Sequence, residues 1–269
     1  MSFRSFGYEI RPGQSISGDY FSSIGTSPVD TLVILCHGFT AFRRYAFFPD
    51  LARAICDLGV GVVSIDFPGN GVDAETGEFV DIESFSRNTV QQEVDDLTAF
   101  VESVVERGCS TLDLPPIARV ILFGHSRGGL PVIECLAKAS THRALQAGIL
   151  WSVPSDIHPM RFGLTPELEK IWREHGSIPY PVARIGQSLP LHLTVLEELL
   201  SDPYRVERHA KELQLPVLIV HGEEDPTVPV ACGARIHEWI HGSTFVSVSG
   251  ADHVFNFSSQ GATVGEYVR

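Results

Sequence analysis

The chain is short of positive charge. In 269 residues, 20 Lys and Arg stand against 33 Asp and Glu, a formal net charge of −13. A field of that sign repels phosphate backbones and anionic lipid surfaces, so neither nucleic acid nor a membrane is an expected partner. Long apolar runs are also missing. Nowhere do about 18 uncharged apolar residues follow one another, as a membrane-spanning helix requires, and the opening MSFRSFGYEIRPGQ has no apolar block of signal-peptide length. Cysteine is scarce: Cys36, Cys56, Cys109, Cys135 and Cys232 are odd in number, scattered, and without C-x-x-C spacing. That pattern reads as buried reduced thiols in a cytoplasmic protein, not as a disulfide scaffold. Repeats and low-complexity tracts are absent.

What is present suits one large domain with a sizeable core, at 43% hydrophobic and 20% charged residues. Apolar β-rich runs recur at 31–36, 60–66, 119–124, 144–151, 216–222 and 243–249. Most are continuously apolar, as strands covered on both faces are. Segments with helical spacing lie between them, at Tyr45–Leu58, Thr89–Arg107, Leu130–Ala139 and Val230–His241. The alternation predicts an α/β protein with a mostly parallel sheet and helices on both faces. Ahead of it, FGYEI and SISGDYFSSI flank the turn signal RPGQ, which predicts an antiparallel hairpin. Residues 152–212 break the rhythm with many prolines and two expected helices, Pro166–His175 and Leu191–Leu200. They read as a helical lid inserted in a core made of 1–151 and 213–269.

The stretch RVILFGHSRGGLPV, 119–132, runs from a strand into a helix through Gly124-His125-Ser126-Arg127-Gly128. G-x-S-x-G in that setting is a nucleophile elbow: a sharp turn exposes the serine hydroxyl above the sheet, with a helix N-terminus behind it to favour negative charge. His125 is expected to point away and play a structural part. A serine hydroxyl needs a base to take its proton and a third group to orient that base. Carboxylates follow the run 216–222 at Glu223, Glu224 and Asp225, and His253 follows the last strand in GADH. The order Ser126, Asp225, His253 is the Ser…Asp…His order of α/β-hydrolases.

From Thr31 to about Asn256 the chain resembles the α/β-hydrolase superfamily, carried by the elbow GHSRGG, the loop HGEEDPTVP and GADHVFN with its histidine. The HGFT loop and compact lid resemble feruloyl or cinnamoyl esterase-like and dienelactone-hydrolase-like branches. The aromatic-rich lid suits small or medium hydrophobic or aromatic esters. The resemblance implies a twisted α/β-hydrolase sheet with a small lid, and a serine hydrolase. It selects Asp225, in the aspartate position of H-G-x-x-D-x-x-V-P, over Glu223 and Glu224. Asp252 is too close to His253 in sequence to support it well. It also implies that the oxyanion is held by the backbone N–H groups of Phe39 and Arg127, with His37 and Gly38 shaping the loop and DFPGNG, 66–71, structural. Whether the Arg127 guanidinium also reaches substrate stays open. Met160, Phe162, Leu164, Trp172 and Tyr180 are the lid residues expected to line a pocket, and Arg161 or Arg184 is available for a substrate carboxylate. No metal and no organic cofactor is needed for this chemistry.

Competing readings exist. The same three side chains cleave amides or carbon–carbon bonds in other settings, and the fold also serves as a noncatalytic binding module. His237-Glu238-Trp239-Ile240-His241 matches H-E-x-x-H, the zinc pattern of metalloproteases. Gly242 follows at once, and Thr244 and Ser247 stand where the extended pattern wants Gly and His. A solvated helix end is the expectation there. Since 16 residues follow His253, fewer than the closing helix of this fold commonly takes, apolar surface near that end is expected to be open or covered by a second copy in a homodimer.

Overall fold

Most of the apolar runs become strands that bury both faces, while the last, 243–249, forms a largely exposed edge strand. The computed structural model describes residues 3–22, 29–138, 143–158 and 163–257. In chain order, a hairpin of β1 (Phe3–Arg11) and β2 (Gln14–Phe21) precedes β3 (Thr31–Cys36), α1 (Phe48–Cys56) and β4 (Gly61–Asp66). Next come α2 (Ile82–Arg87), α3 (Val90–Arg107), β5 (Arg119–His125), α4 (Gly129–Ala137) and β6 (Leu145–Trp151). Then follow α5 (Pro166–His175), β7 (Ser177–Val182), β8 (Gln187–His192), α6 (Leu193–Ser201) and α7 (Arg205–Glu212). The chain returns through β9 (Val217–Gly222), α8 (Ala231–Trp239) and β10 (Thr244–Val248).

The main sheet has the order β1-β2-β4-β3-β5-β6-β9-β10. The β1–β2 and β2–β4 pairs are antiparallel and every later pair is parallel. Alternation along β3 shows how both faces are covered. Leu32, Ile34 and Cys36 enter the larger core, with Val94 and Leu97 of α3 and Val132 and Ile133 of α4. Val33 and Leu35 enter a second core, with Phe47, Phe48 and Leu51 beside α1. The chain passes from β3 to β4 on one side and to β5 on the other, so the ends of β3 and β5 form the topological switch point where ligands of open α/β sheets bind.

The inserted segment differs from a purely helical lid. Its first helix, α5, lies where predicted, with Thr165 capping the Leu168 amide and Pro166 in the first turn. Between α5 and α6 stands a two-stranded antiparallel sheet, β7–β8, and Leu191 and His192, expected to be helical, belong to it. Pro179, Pro181 and Pro190 obscured these strands, because proline lacks the ladder donor. Pro179 pairs with Pro190, and Pro181 lies two residues further along β7, so all three share one parity. Their missing N–H groups face outward, where a two-stranded sheet needs none. Trp172, Ile178, Leu189 and Leu196 of the insertion are part of the larger core. Among the described residues no helix is long and apolar enough to cross a membrane.

Candidate active site

β5 delivers Ser126 directly into a turn. Its φ is 54°, a left-handed conformation that costs an L-residue about 1–2 kcal/mol, and the surrounding packing has to enforce it. Space is the reason for the glycines. A Cβ on Gly124 would lie 2.5 Å from Gly129 Cα, and one on Gly128 would strike the His37 carbonyl oxygen. α4 begins immediately after the turn, which places its positive end behind the hydroxyl.

Three side chains that are distant in sequence meet here. His253 Nε2 lies 3.0 Å from Ser126 Oγ, and His253 Nδ1 lies 2.7 Å from Asp225 Oδ2. The other carboxylate oxygen of Asp225 accepts from the Thr227 and Val228 amides, at 2.8 Å each. Burial of this carboxyl would raise its pKa. Hydrogen bonds from His221 and His253, with the backbone bond from Val228, outweigh that and hold it well below the usual carboxylate range. Asp225 is therefore ionised whenever His253 takes up a proton.

His253 sits on a braced loop. Asp252 Oδ1 accepts from the Val254 and Asn256 amides at 2.9 and 2.7 Å, and Asn256 Nδ2 donates to the Gly250 carbonyl at 2.9 Å. Asp252 thus shapes the loop. His125 adds a brace from the elbow itself, donating from Nε2 to the His253 carbonyl at 2.8 Å. Burial, with the neighbouring His253, pushes the His125 pKa down to about 3, so it is a neutral donor. His221 does the same for the acid loop, donating from Nε2 to the Val228 carbonyl at 2.8 Å. The His125 contact joins residues 128 apart, which only the folded sheet brings together, whereas the His221 contact closes within the HGEEDPTVP loop itself.

Opposite the histidine stands the loop after β3. The Gly38 carbonyl is held by His37 Nδ1 at 2.9 Å and by the Ala41 amide at 3.2 Å. Because the peptide is planar and trans, fixing that carbonyl directs the Phe39 N–H the other way. Gly38 packs directly on Ser126, where an added Cβ would be 2.9 Å from the serine Cβ. Asn70 Nδ2, 3.3 Å from His37 Nε2 and 3.2 Å from Asp66 Oδ1, supports the ring from below. The Arg127 amide lies in the first turn after Ser126, where N–H groups lack intrahelical acceptors. Its guanidinium is engaged elsewhere: Nη2 donates to the Asn88 carbonyl at 2.9 Å, Nε is 3.3 Å from Glu93 Oε2, and the group covers the Phe39 ring at 4.9 Å.

The pocket candidates separate. Tyr180 meets the Phe39 ring edge-on at 5.4 Å, and Phe39 stacks on Phe85 at 5.3 Å. Trp172 is 2% exposed within the core, and Leu164 packs against that core. Met160, Arg161 and Phe162 lie outside the described residues. Arg184 reaches main-chain carbonyls instead of open space. The H-E-x-x-H stretch does not form a ligand set, because α8 stops at Trp239, Ile240 is extended and His241 lies beyond the helix. His237 Nδ1 is 2.7 Å from Ser243 Oγ. Among the described residues no group of three or more His, Cys, Asp or Glu side chains is arranged to hold a metal ion.

Comparison with known proteins agrees with this architecture. Protein ABHD12B of Homo sapiens is 25% identical over 210 residues, 77% of this chain and 49% of that protein, so the chain spans about half the length of this curated relative. Est1E from Butyrivibrio proteoclasticus superposes with a TM-score of 0.70 at 18% identity, covering 94% of this chain and 91% of its own. The esterase domain of a Rhodothermus marinus protein does so with a TM-score of 0.64 at 22% identity, covering 100% and 96%. The sequence profile described as the Alpha/beta hydrolase family matches residues 33–266, which with the sheet order and the elbow places this chain in the alpha/beta hydrolase family.

Proposed function

We infer that the protein is a serine hydrolase of carboxylic esters that works through a covalent acyl-enzyme. The observation carrying this reading is the continuous hydrogen-bonded line from Ser126 through His253 to Asp225, at 3.0 and 2.7 Å. In the first half-reaction Ser126 Oγ attacks the ester carbonyl carbon while His253 Nε2 takes its proton. The tetrahedral oxyanion is met by the Phe39 and Arg127 amides, worth about 3–4 kcal/mol for each such donor. Collapse expels the alcohol, which receives the proton from His253. Water then repeats the sequence on the acyl-enzyme and releases the acid. Asp225, held ionised, keeps the proton on Nδ1 of the resting imidazole and stabilises the imidazolium.

The half-buried rings of Phe39 and Tyr180, with the buried Phe85 behind Phe39, favour a small or medium acyl group with a flat apolar part. The likeness to Est1E, of which one structure holds ferulic acid, agrees with this choice. The test is labelling with a fluorophosphonate together with turnover of a p-nitrophenyl ester series. Both signals should disappear in Ser126→Ala. Full turnover by that variant refutes the serine reading, and faster cleavage of aminoacyl amides than of any ester refutes the ester assignment.

A further inference from the structure

The loop that aims the Phe39 amide contains a misplaced residue. Thr40 is β-branched yet has φ 61°, a left-handed conformation that glycine adopts freely and threonine rarely does. It is the third residue of the turn closed from Ala41 N–H to Gly38 O, the position where glycine is the unstrained choice. Relaxation of Thr40 to right-handed geometry would rotate the Phe39–Thr40 peptide and re-aim the chain on both sides of it. A contact outside the turn has to hold it.

That contact comes from the insertion. Arg184 sits on the tight turn between β7 and β8. Its Nε donates to the Thr40 carbonyl at 3.1 Å, and its Nη1 donates to the Gly77 carbonyl. The guanidinium lies 5.4 Å from the Phe42 ring centroid and 5.0 Å from that of Phe79. Gly77 belongs to a stiff turn, in which Asp73 Oδ1 accepts from the Glu75 and Thr76 amides and Val72 bridges Phe79. Nη2 is buried with no acceptor among the described residues, so the two carbonyl bonds are its whole polar engagement. We propose that Arg184 is a positioning residue for the oxyanion hole, holding Thr40 in its left-handed conformation and so keeping the Phe39 N–H directed at Ser126. This rests on the oxyanion role given to Phe39 above. Seating of the insertion on the core then governs turnover, and not only which substrates fit.

Arg184→Ala is expected to lower kcat for a p-nitrophenyl ester about 10- to 100-fold, with KM within about threefold. Thr40→Gly relieves the strain that Arg184 opposes. The double variant is therefore expected to recover kcat to within about threefold of Thr40→Gly alone. Losses that simply add, or a raised KM at unchanged kcat, overturn the proposal. If the alanine variant does not fold, Arg184→Lys, which keeps the charge between the two rings but loses the fork, is expected to show the same rescue, and its absence overturns the proposal equally. Amide hydrogen exchange across residues 38–48 reads the turn without turnover: faster exchange in Arg184→Ala supports the hold, and unchanged exchange overturns it. Fluorophosphonate labelling of the wild type checks the serine reading separately. A protein that resists labelling yet shows the exchange change keeps the Arg184 hold and loses the esterase assignment.

Discussion

Asp225 accepts from two backbone amides and from the base, so replacing its carboxylate by an amide disturbs little of the loop but places an N–H donor against His253 Nδ1. Asp225→Asn is expected to lower kcat about 10³- to 10⁴-fold with a nearly unchanged melting temperature, measured by ester turnover and calorimetry. His125 carries a different prediction. Its folded pKa of about 3 lies below the ordinary 6.5, so the unfolded chain binds the proton more readily as pH falls. Stability is fully present above about 6.5 and is lost from there down to about 3, at up to about 1.4 kcal/mol per pH unit. Denaturant titrations of His125→Gln between pH 7 and 4 should show a shallower decline than the wild type. Equal slopes would mean that His125 is not kept neutral by burial. Ser126, Asp225 and His253, which the fold brings into hydrogen-bond contact, could each be picked out in the sequence because each sits in a short motif at a strand end. The braces from His125 and Arg184 could not, since each crosses between segments that share no local pattern.

At the level of helices and strands, the insertion is tied to the core by charge as well as by apolar contact. Glu198 of α6 accepts from the first two amides of α3, at 2.7 Å from Val90 and 2.6 Å from Gln91. It also pairs with Arg205 at 3.0 Å, while Arg205 binds both oxygens of Glu134 on α4 at 2.6 and 2.9 Å. Glu198, supplied from another helix, thus completes the cap of α3, where the Thr89 hydroxyl takes the third amide, that of Gln92. Glu198→Ala is expected to cost about 2 kcal/mol, or about 4–8 °C in Tm, measured by calorimetry. A change within about 1 °C would show that the α3 amides find water equally well. Strands β3, β4, β5, β6 and β9 were predictable from apolar runs, the β1–β2 hairpin from its RPGQ turn, α3 from helical spacing and α5 from the Thr165 cap followed by Pro166. The helix expected over Tyr45–Leu58 starts only at Phe48, because Ala46 just ahead of it holds φ 50°. α2, six residues long, is too short to display a period. The β7–β8 strands went unpredicted because proline argues locally against the conformation that pairing imposes.

For the molecule as a whole, the net charge of −13 acts on whatever approaches the cleft. An ester bearing a free carboxylate meets repulsion that salt screens, with a Debye length of about 10 Å at 0.1 M and about 3 Å at 1 M. Its kcat/KM is therefore expected to rise severalfold between low salt and 0.5 M NaCl, while that of a neutral ester of the same shape stays level. Parallel steady-state series would check this, and equal salt responses would mean that local groups at the cleft, not the overall field, govern approach. The same view of the molecule gives the outward-facing prolines of the β7–β8 hairpin a further meaning. A two-stranded sheet has a rim on each strand that its own ladder leaves unpaired and that would ordinarily suit a further strand. With Pro179 and Pro181 along one rim and Pro190 on the other, donors needed to extend the ladder are missing from both. The hairpin is thereby a poor template for a third strand, whether from this chain or from a second copy.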